Sequence, residues 1–285
     1  MPWRGVAGSL GALQSIRTRG EEIPYTGYVP VDDFVMNVQL PEMETLAYEY
    51  DTEIMWCDIG DSNNSTIFAS NWLNLARKQG RQVTFNNRCR IGGDFNTPEY
   101  YTNEGSVDSK WKSNRGMDPF SFRLNYQTPD EEYLTGGDII QSLVDIVSKN
   151  GNLLLDIGPR NDGSIMEIMS RGLLDAGTWI HAHSESIFST RYHRTTPGLD
   201  PFRYTETLNA FYIHVNSKPN MTTIAVPDRT PYLPGDLVTV VGGDLDGSVV
   251  NTTWSGRLIT LHINEDIIAA DKYVWTFKIE YTSSW

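Results

Sequence analysis

The chain has 285 residues, 39% of them hydrophobic, and a formal net charge of −13. That length suits one large domain or two smaller ones, and no apolar run approaches the roughly 18 residues that a membrane span needs, so no membrane partner is expected. An acidic surface repels phosphate, which argues against nucleic acid as a partner.

From residue 31 to about 195, helix-like and strand-like segments alternate. "VDDFVMNVQLPEMETLAYEY", 31–50, reads as a helix with Pro41 as a kink or starting point. "EIMWCDIG", 53–60, is an apolar run that ends on a carboxylate, Asp58, before Gly60 breaks it. "STIFASNWLNLARKQG", 65–80, is an amphipathic helix with Gly80 past its end, and "RQVTFNNR", 81–88, is a strand. The stretch 89–130 reads as irregular. "GGDIIQSLVDIVSKNG" is a helix, "NLLLDIGP" a strand ended by Gly158 and Pro159, and the helix after it opens with a capping-box pattern, Ser164 and Glu167.

Apolar strands alternating with helices imply a parallel sheet under helices. Past residue 200 the pattern changes to short strands divided by turn residues: "AFYIHV", "TTIAV", "LVTVVG", "LITLHI" and "YVWTFKIEY". That is the pattern of a β-sandwich. The expected division is an α/β domain over 1–197 and a sandwich over 198–285. A (β/α)8 barrel needs about 250 residues. The first domain is therefore either a smaller open sheet or a barrel that lacks its N-terminal strands.

Three strands end in polar groups: Asp58, then Asn86, Asn87 and Arg88, then Asp156. Singly, such an aspartate is more often a cap. Together at the C-terminal ends of parallel strands they occupy the position of an active site. The loop "GGDFNTPEY" adds Asp94 and Glu99, and two carboxylates facing each other across a substrate are what glycoside hydrolysis uses. Eight Trp and fourteen Tyr lean weakly toward carbohydrate. Cys57 and Cys89 each follow an expected strand, so they are expected to be neighbours, with two free buried thiols favoured over a disulfide. No Cys/His spacing resembles a zinc site, and all five histidines lie at 181 or later. Acceptor sequons at Asn63, Asn64, Asn220 and Asn251 favour secretion, against a poor signal peptide at the N-terminus.

The segments "EIMWCDIG", "VTFNNR", "GDFNTPEY", "KWKSNRGMDPFSF", "LVDIVSKNGNLLLDIGPRNDGSI" and "GTWIHAHSESIFST" resemble glycoside hydrolase family 29, the α-L-fucosidases, from about residue 23 to 195. The subgroup resembles fungal secreted enzymes. The resemblance implies a TIM-like barrel followed by a β-sandwich. It also implies a retaining hydrolase that removes terminal α-L-fucose from a glycan or glycoside, with no cofactor and no metal. It places the nucleophile on Asp58, a wall of the sugar site on Trp56, a charge partner on Arg88 and an aromatic contact on Phe122. The acid/base falls on Glu99, with Glu104 and Asp118 in reserve, because Lys112 stands where another branch has its glutamate. The family's paired histidines have no counterpart, and Arg123 and Leu124 replace a Gly-Tyr. The chain thus reads as the C-terminal part of the barrel plus the sandwich, with little activity expected on its own. The alternative is an inactive carbohydrate-binding or structural remnant. Activity on an aryl α-L-fucoside separates the two.

Overall fold

A computed structural model describes residues 31–58, 65–89, 91–100, 108–195 and 197–281. The expectations for the N-terminal segment, for Asn63 and Asn64, and for Glu104 fall outside them. The chain divides into two compact units, one of Met1–Met55 with Ile59–Val83, the other of Trp56–Asp58 with Thr84–Trp285.

In the first unit, residues 35–49 are helical in three consecutive segments: wide π turns over Val35–Gln39, α1 over Leu40–Glu44, and π turns again over Thr45–Glu49. The Asp33 carboxylate accepts the N–H groups of Val35 and Met36 and caps the start. Pro41 therefore marks a change of helix geometry inside a continuous helix, not its first turn. A short strand, β1 (Ile54–Met55), follows, and then α2 (Ser65–Lys78). α2 buries Phe68, Ala69, Trp72 and Ala76 along one face, the spacing of an amphipathic helix, with the Phe68 and Trp72 rings stacked 5.4 Å apart.

The second unit begins its sheet at β2 (Thr84–Phe85), which gives way to a 3-10 turn over Asn87–Cys89. β3 (Trp111–Gly116) pairs in parallel with β4 (Gly151–Asp156), from Trp111 opposite Gly151 to Gly116 opposite Asp156. Gly151 is required there: a Cβ would sit 2.5 Å from the Trp111 ring. On the other side of β3 runs the segment 95–99, joined by parallel bridges Asn96–Trp111 and Glu99–Asn114, and Phe95 in turn bridges Asn86. The stretch 89–130 is thus not irregular throughout. Hydropathy misses β3 because the strand reads "WKSNRG" and yet Trp111, Ser113, Asn114 and Gly116 are buried. Parallel neighbours on both edges, rather than an apolar face, hold it in place.

α3 (Gly136–Ser148) starts with a capping box in which Thr135 and Asp138 bond each other's backbone N–H groups. α4 (Glu167–Ala182) has none. Ser164, expected as its cap, instead bonds Asp162 through both its N–H and its hydroxyl. Ile140, Val144, Met169, Ala176 and Trp179 from these helices pack with Met117.

After the short α5 (Ser184–Ile187) the chain enters the sandwich. One sheet has the order β5 (Arg191–Tyr192), β6 (Phe202–Glu206), β7 (Ala210–Val215), β12 (Trp275–Glu280), β9 (Val238–Val241). The other has the order β10 (Asn251–Ser255), β11 (Leu258–His262), β8 (Thr223–Ala225). All pairings are antiparallel. Inward residues of both sheets, among them Phe211, Ile213, Ile224, Ile259, Leu261 and Phe277, form one core. Helix α6 (Glu265–Ala269) is capped by Asn264. The sandwich is tied to the α/β part by polar contacts. Asp145 of α3 takes both Arg203 of β6 and Lys149, and the Trp179 indole of α4 donates to Asp271 and to the Val274 carbonyl.

His214 lies fully buried between Thr205 and Thr276. The Thr205 hydroxyl donates to the Ser186 carbonyl, so it accepts from His214 Nε2–H, which leaves Nδ1 as the acceptor for Thr276. The neutral ring is thereby satisfied. Burial, reinforced by the nearby His183, pushes its pKa down from 6.5 to about 3. Because the unfolded chain binds this proton more readily than the folded one, the stability from the neutral ring is complete above pH 6.5 and is lost as the pH falls from there toward 3. Denaturant unfolding at pH 7 and pH 5 should show a loss of about 2 kcal/mol from this group, and His214→Gln should shrink that loss; an unchanged difference would refute the assignment.

Candidate active site

The site is built on strand ends of the second unit. Asn86 is fully buried, and its side-chain amide clasps the backbone of Cys57: Oδ1 accepts the Cys57 N–H at 3.0 Å and Nδ2 donates to the Cys57 carbonyl at 2.8 Å. That fixes the main chain one residue before Asp58. The same Cys57 is joined to Cys89 by a disulfide, with Cα atoms 5.0 Å apart, within the range that a disulfide bridges. This corrects the expectation of free thiols. The two strand ends are neighbours, as the sequence suggests, and they come close enough to bond. The disulfide joins the residue before Asp58 to the residue after Arg88.

Arg88 is the centre of the site. Nη1 donates to Asp58 Oδ1 at 2.7 Å, and Nη2 donates to Glu99 Oε1 at 2.7 Å and to the Thr97 carbonyl at 2.8 Å. Nε donates to the Thr97 hydroxyl at 2.9 Å, which passes its own proton to Asn87 Oδ1 at 3.0 Å. Burial alone would lower the pKa of Arg88, but its hydrogen bonds to Glu99 and then Asp58 outweigh this and raise it above the ordinary value. Both carboxylates expected from the sequence are therefore held on one guanidinium. Their side chains remain open, at 61% exposure for Asp58 and 45% for Glu99, so a ligand reaches them without any rearrangement of the core.

Two aromatic groups flank them. Trp56 is half-buried and tilts against Phe95, with centroids 6.1 Å apart. The Lys112 ammonium sits 4.5 Å above the Trp56 ring, a cation–π contact, and burial lowers the Lys112 pKa. Phe122 is partly exposed and packs on Tyr100 at 4.9 Å, the residue after Glu99.

Two of the remaining polar candidates, Asp94 and Asp118, have structural partners. Asp94 accepts from the Thr84 hydroxyl and the Phe85 N–H. Asp118, the reserve acid, is buried and accepts from the Thr128 hydroxyl and the Phe120 N–H. Asp156 ends β4 with a buried Oδ2 that has no hydrogen-bond partner among the described residues, and burial pushes its carboxyl up. Sequence reasoning missed Thr97, the residue that orients Arg88. The signal was there: in an extended segment residues 97 and 99 share a face, so both reach the same guanidinium.

Two carboxylates on a common arginine, with aromatic rings beside them, are an arrangement that glycoside hydrolases can use. The α-L-fucosidase family model matches residues 14–185, and the chain belongs to that family. Its relatives include the rat plasma alpha-L-fucosidase, 32% identical over 168 residues, which cover 55% of this chain and 36% of that one. The mouse tissue alpha-L-fucosidase is 28% identical over 269 residues, 86% of this chain and 57% of that one. The chain thus spans between about a third and rather over half of the length of these relatives. Among solved structures, the Thermotoga maritima alpha-fucosidase in complex with a mechanism-based inhibitor superposes with a TM-score of 0.75 at 21% identity, over 88% of this chain and 57% of that one. Alpha-L-fucosidase isoenzyme 1 from Paenibacillus thiaminolyticus gives 0.70 at 20% identity, over 89% and 64%. The fold is that of these fucosidases.

The disulfide closes a loop with a sequence separation of 32, for which loop-closure entropy corresponds to about 3–4 kcal/mol. Alkylation of the denatured protein followed by mass spectrometry should add nothing before reduction and two adducts after it, and Cys57→Ala/Cys89→Ala should lower stability by about that amount. Adducts without reductant would mean free thiols.

Proposed function

We propose that this chain is the nucleophile- and acid/base-bearing part of a retaining α-L-fucosidase. In this reading residues 1–197 are its share of a (β/α)8 barrel and 198–285 the sandwich. The observation that carries the reading is the bridging of Asp58 and Glu99 by Arg88, in a chain of the α-L-fucosidase family. Asp58 attacks C1 of a terminal α-L-fucose and forms a glycosyl-enzyme. Glu99 protonates the departing glycosidic oxygen and then takes a proton from the water that releases the sugar.

Arg88 donates to one oxygen of each carboxyl group. It fixes the direction of the Asp58 oxygen that it holds. To deliver a proton, Glu99 must first take one up from solvent and swing off Nη2, and its exposure leaves room for that. Trp56 offers the sugar only the ring face that Lys112 does not cover. Phe122, backed by Tyr100, packs on an apolar edge of the sugar. Export from the cell fits the same picture: the Cys57–Cys89 disulfide is at home in an oxidising compartment, and the sequon residues Asn220 and Asn251 are both exposed.

The test uses an aryl α-L-fucoside and three variants. Asp58→Ala should abolish turnover, with partial rescue by azide as fucosyl azide. Glu99→Gln should slow substrates with poor leaving groups far more than activated ones. Arg88→Lys keeps the charge but loses the fork that spans both carboxylates, and kcat should fall roughly 100-fold from misplacement of the pair. Near-normal turnover by Asp58→Ala without azide would overturn the nucleophile assignment. Equal losses for Glu99→Gln on both substrate types would move the acid elsewhere.

A further inference from the structure

We propose that the β-sandwich carries a second binding site, independent of the Asp58–Glu99 site, for a saccharide residue that bears a carboxylate or sulfate group. The site is a cavity of about 640 Å³ formed by the 193–195 segment, the 229–233 loop and the β10–β11 hairpin. That volume falls in the range of ordinary small-molecule sites.

Its charge is the first observation. Arg194, Arg229 and Arg257 all line the cavity, in a protein of net charge −13. None of the three has an ion pair or hydrogen-bond partner among the described residues. The nearby carboxylates are committed elsewhere. Asp228 accepts from the Tyr204 hydroxyl and the Leu199 N–H, and Glu206 pairs with Arg191. Three guanidinium groups around one concavity repel one another and attract an anion, and guanidinium suits the planar, two-oxygen face of a carboxylate or sulfate.

The second observation is aromatic. Trp254 lines the same cavity and is 48% exposed, and Tyr232 adds a half-buried ring. A bare inorganic anion has no use for such faces, whereas the C–H face of a sugar ring packs on them. A neutral sugar, conversely, has no use for three arginines. The third is an unmet polar group: the Thr230 hydroxyl lines the cavity, buried and without a hydrogen-bond partner in the structure, ready for a sugar hydroxyl. His193 at the cavity wall adds no competing charge. Burial lowers its pKa, and its Nδ1 accepts the Thr195 N–H. Arg257 also holds φ +83 in the β10–β11 turn, a conformation that side chains other than glycine adopt at a cost. An arginine stands where the turn itself would favour glycine.

The experiment is calorimetric titration of the full 285-residue chain with a sialylated lactose, a sulfated galactose, lactose and inorganic sulfate. At least one acidic sugar should bind with a Kd of about 1 mM or tighter, with lactose at least tenfold weaker, and the stronger of the two acids identifies the group recognised. Arg229→Gln and Arg257→Gln should each weaken acidic-sugar binding about tenfold. Trp254→Ala should weaken it similarly while leaving inorganic sulfate unaffected. All three side chains are exposed, so the variants keep the core. Lactose binding as tightly as the acidic sugars would overturn the proposal. So would inorganic sulfate matching the sulfated sugar together with no effect of Trp254→Ala, or no binding of either acidic sugar at about 10 mM.

Discussion

The site depends on one planar cation. Arg88 spends its donors in two directions. Nε and one Nη2 hydrogen are consumed by Thr97, and this fixes the plane of the guanidinium. The other Nη2 hydrogen and one Nη1 hydrogen then point at Glu99 and Asp58. A fork with two fixed prongs sets two carboxylates at a defined separation in a way that a flexible ammonium does not. Remove the Thr97 anchor and the plane rotates; remove the fork and the carboxylates lose their common reference.

The surrounding fold makes that fork possible by burying polar main chain and amides instead of apolar side chains. Asn86 replaces a strand partner for Cys57, the segment 95–99 lies against β3, and Asn87 orients the Thr97 hydroxyl. Buried polar groups stay cheap only while each has its partner, so the chain near the site admits few conformations. Gly93 shows how tight it is. A Cβ there would come within 2.4 Å of the Asn87 backbone nitrogen, directly beside Arg88. The disulfide adds a covalent tie between the residues adjoining Asp58 and Arg88.

This explains which parts were legible in the sequence. The helices α2, α3 and α4 and most sandwich strands announce themselves through apolar periodicity, because each buries one face. Asp58, Arg88 and Glu99 were legible because charged groups at the ends of strands and in a Gly- and Pro-containing loop stand out against that pattern. β3 was not, since its burial comes from parallel neighbours and its residues are polar. Thr97 was legible only through its shared face with Glu99 in an extended segment, and three-dimensional closure is what brings that face to Arg88. The Ser164 cap failed because Asp162 competes for the same serine at closer range, and local side-chain-to-backbone bonds of that kind displace a cap.

Arg88 also has one donor to spare. Of its five N–H donors, four have acceptors among the described residues, and one hydrogen on Nη1, the nitrogen that holds Asp58, has none. In the proposed reaction that donor would be free for a hydroxyl of the bound sugar. The guanidinium would then join nucleophile, sugar and acid through one rigid group. In the proposed reaction a shift of Glu99 toward the leaving oxygen would free an Nη2 hydrogen while Asp58 gives up its negative charge to the bond with C1. The guanidinium would then be shared among fewer anions, and release of Glu99 and consumption of Asp58 would be coupled through one side chain.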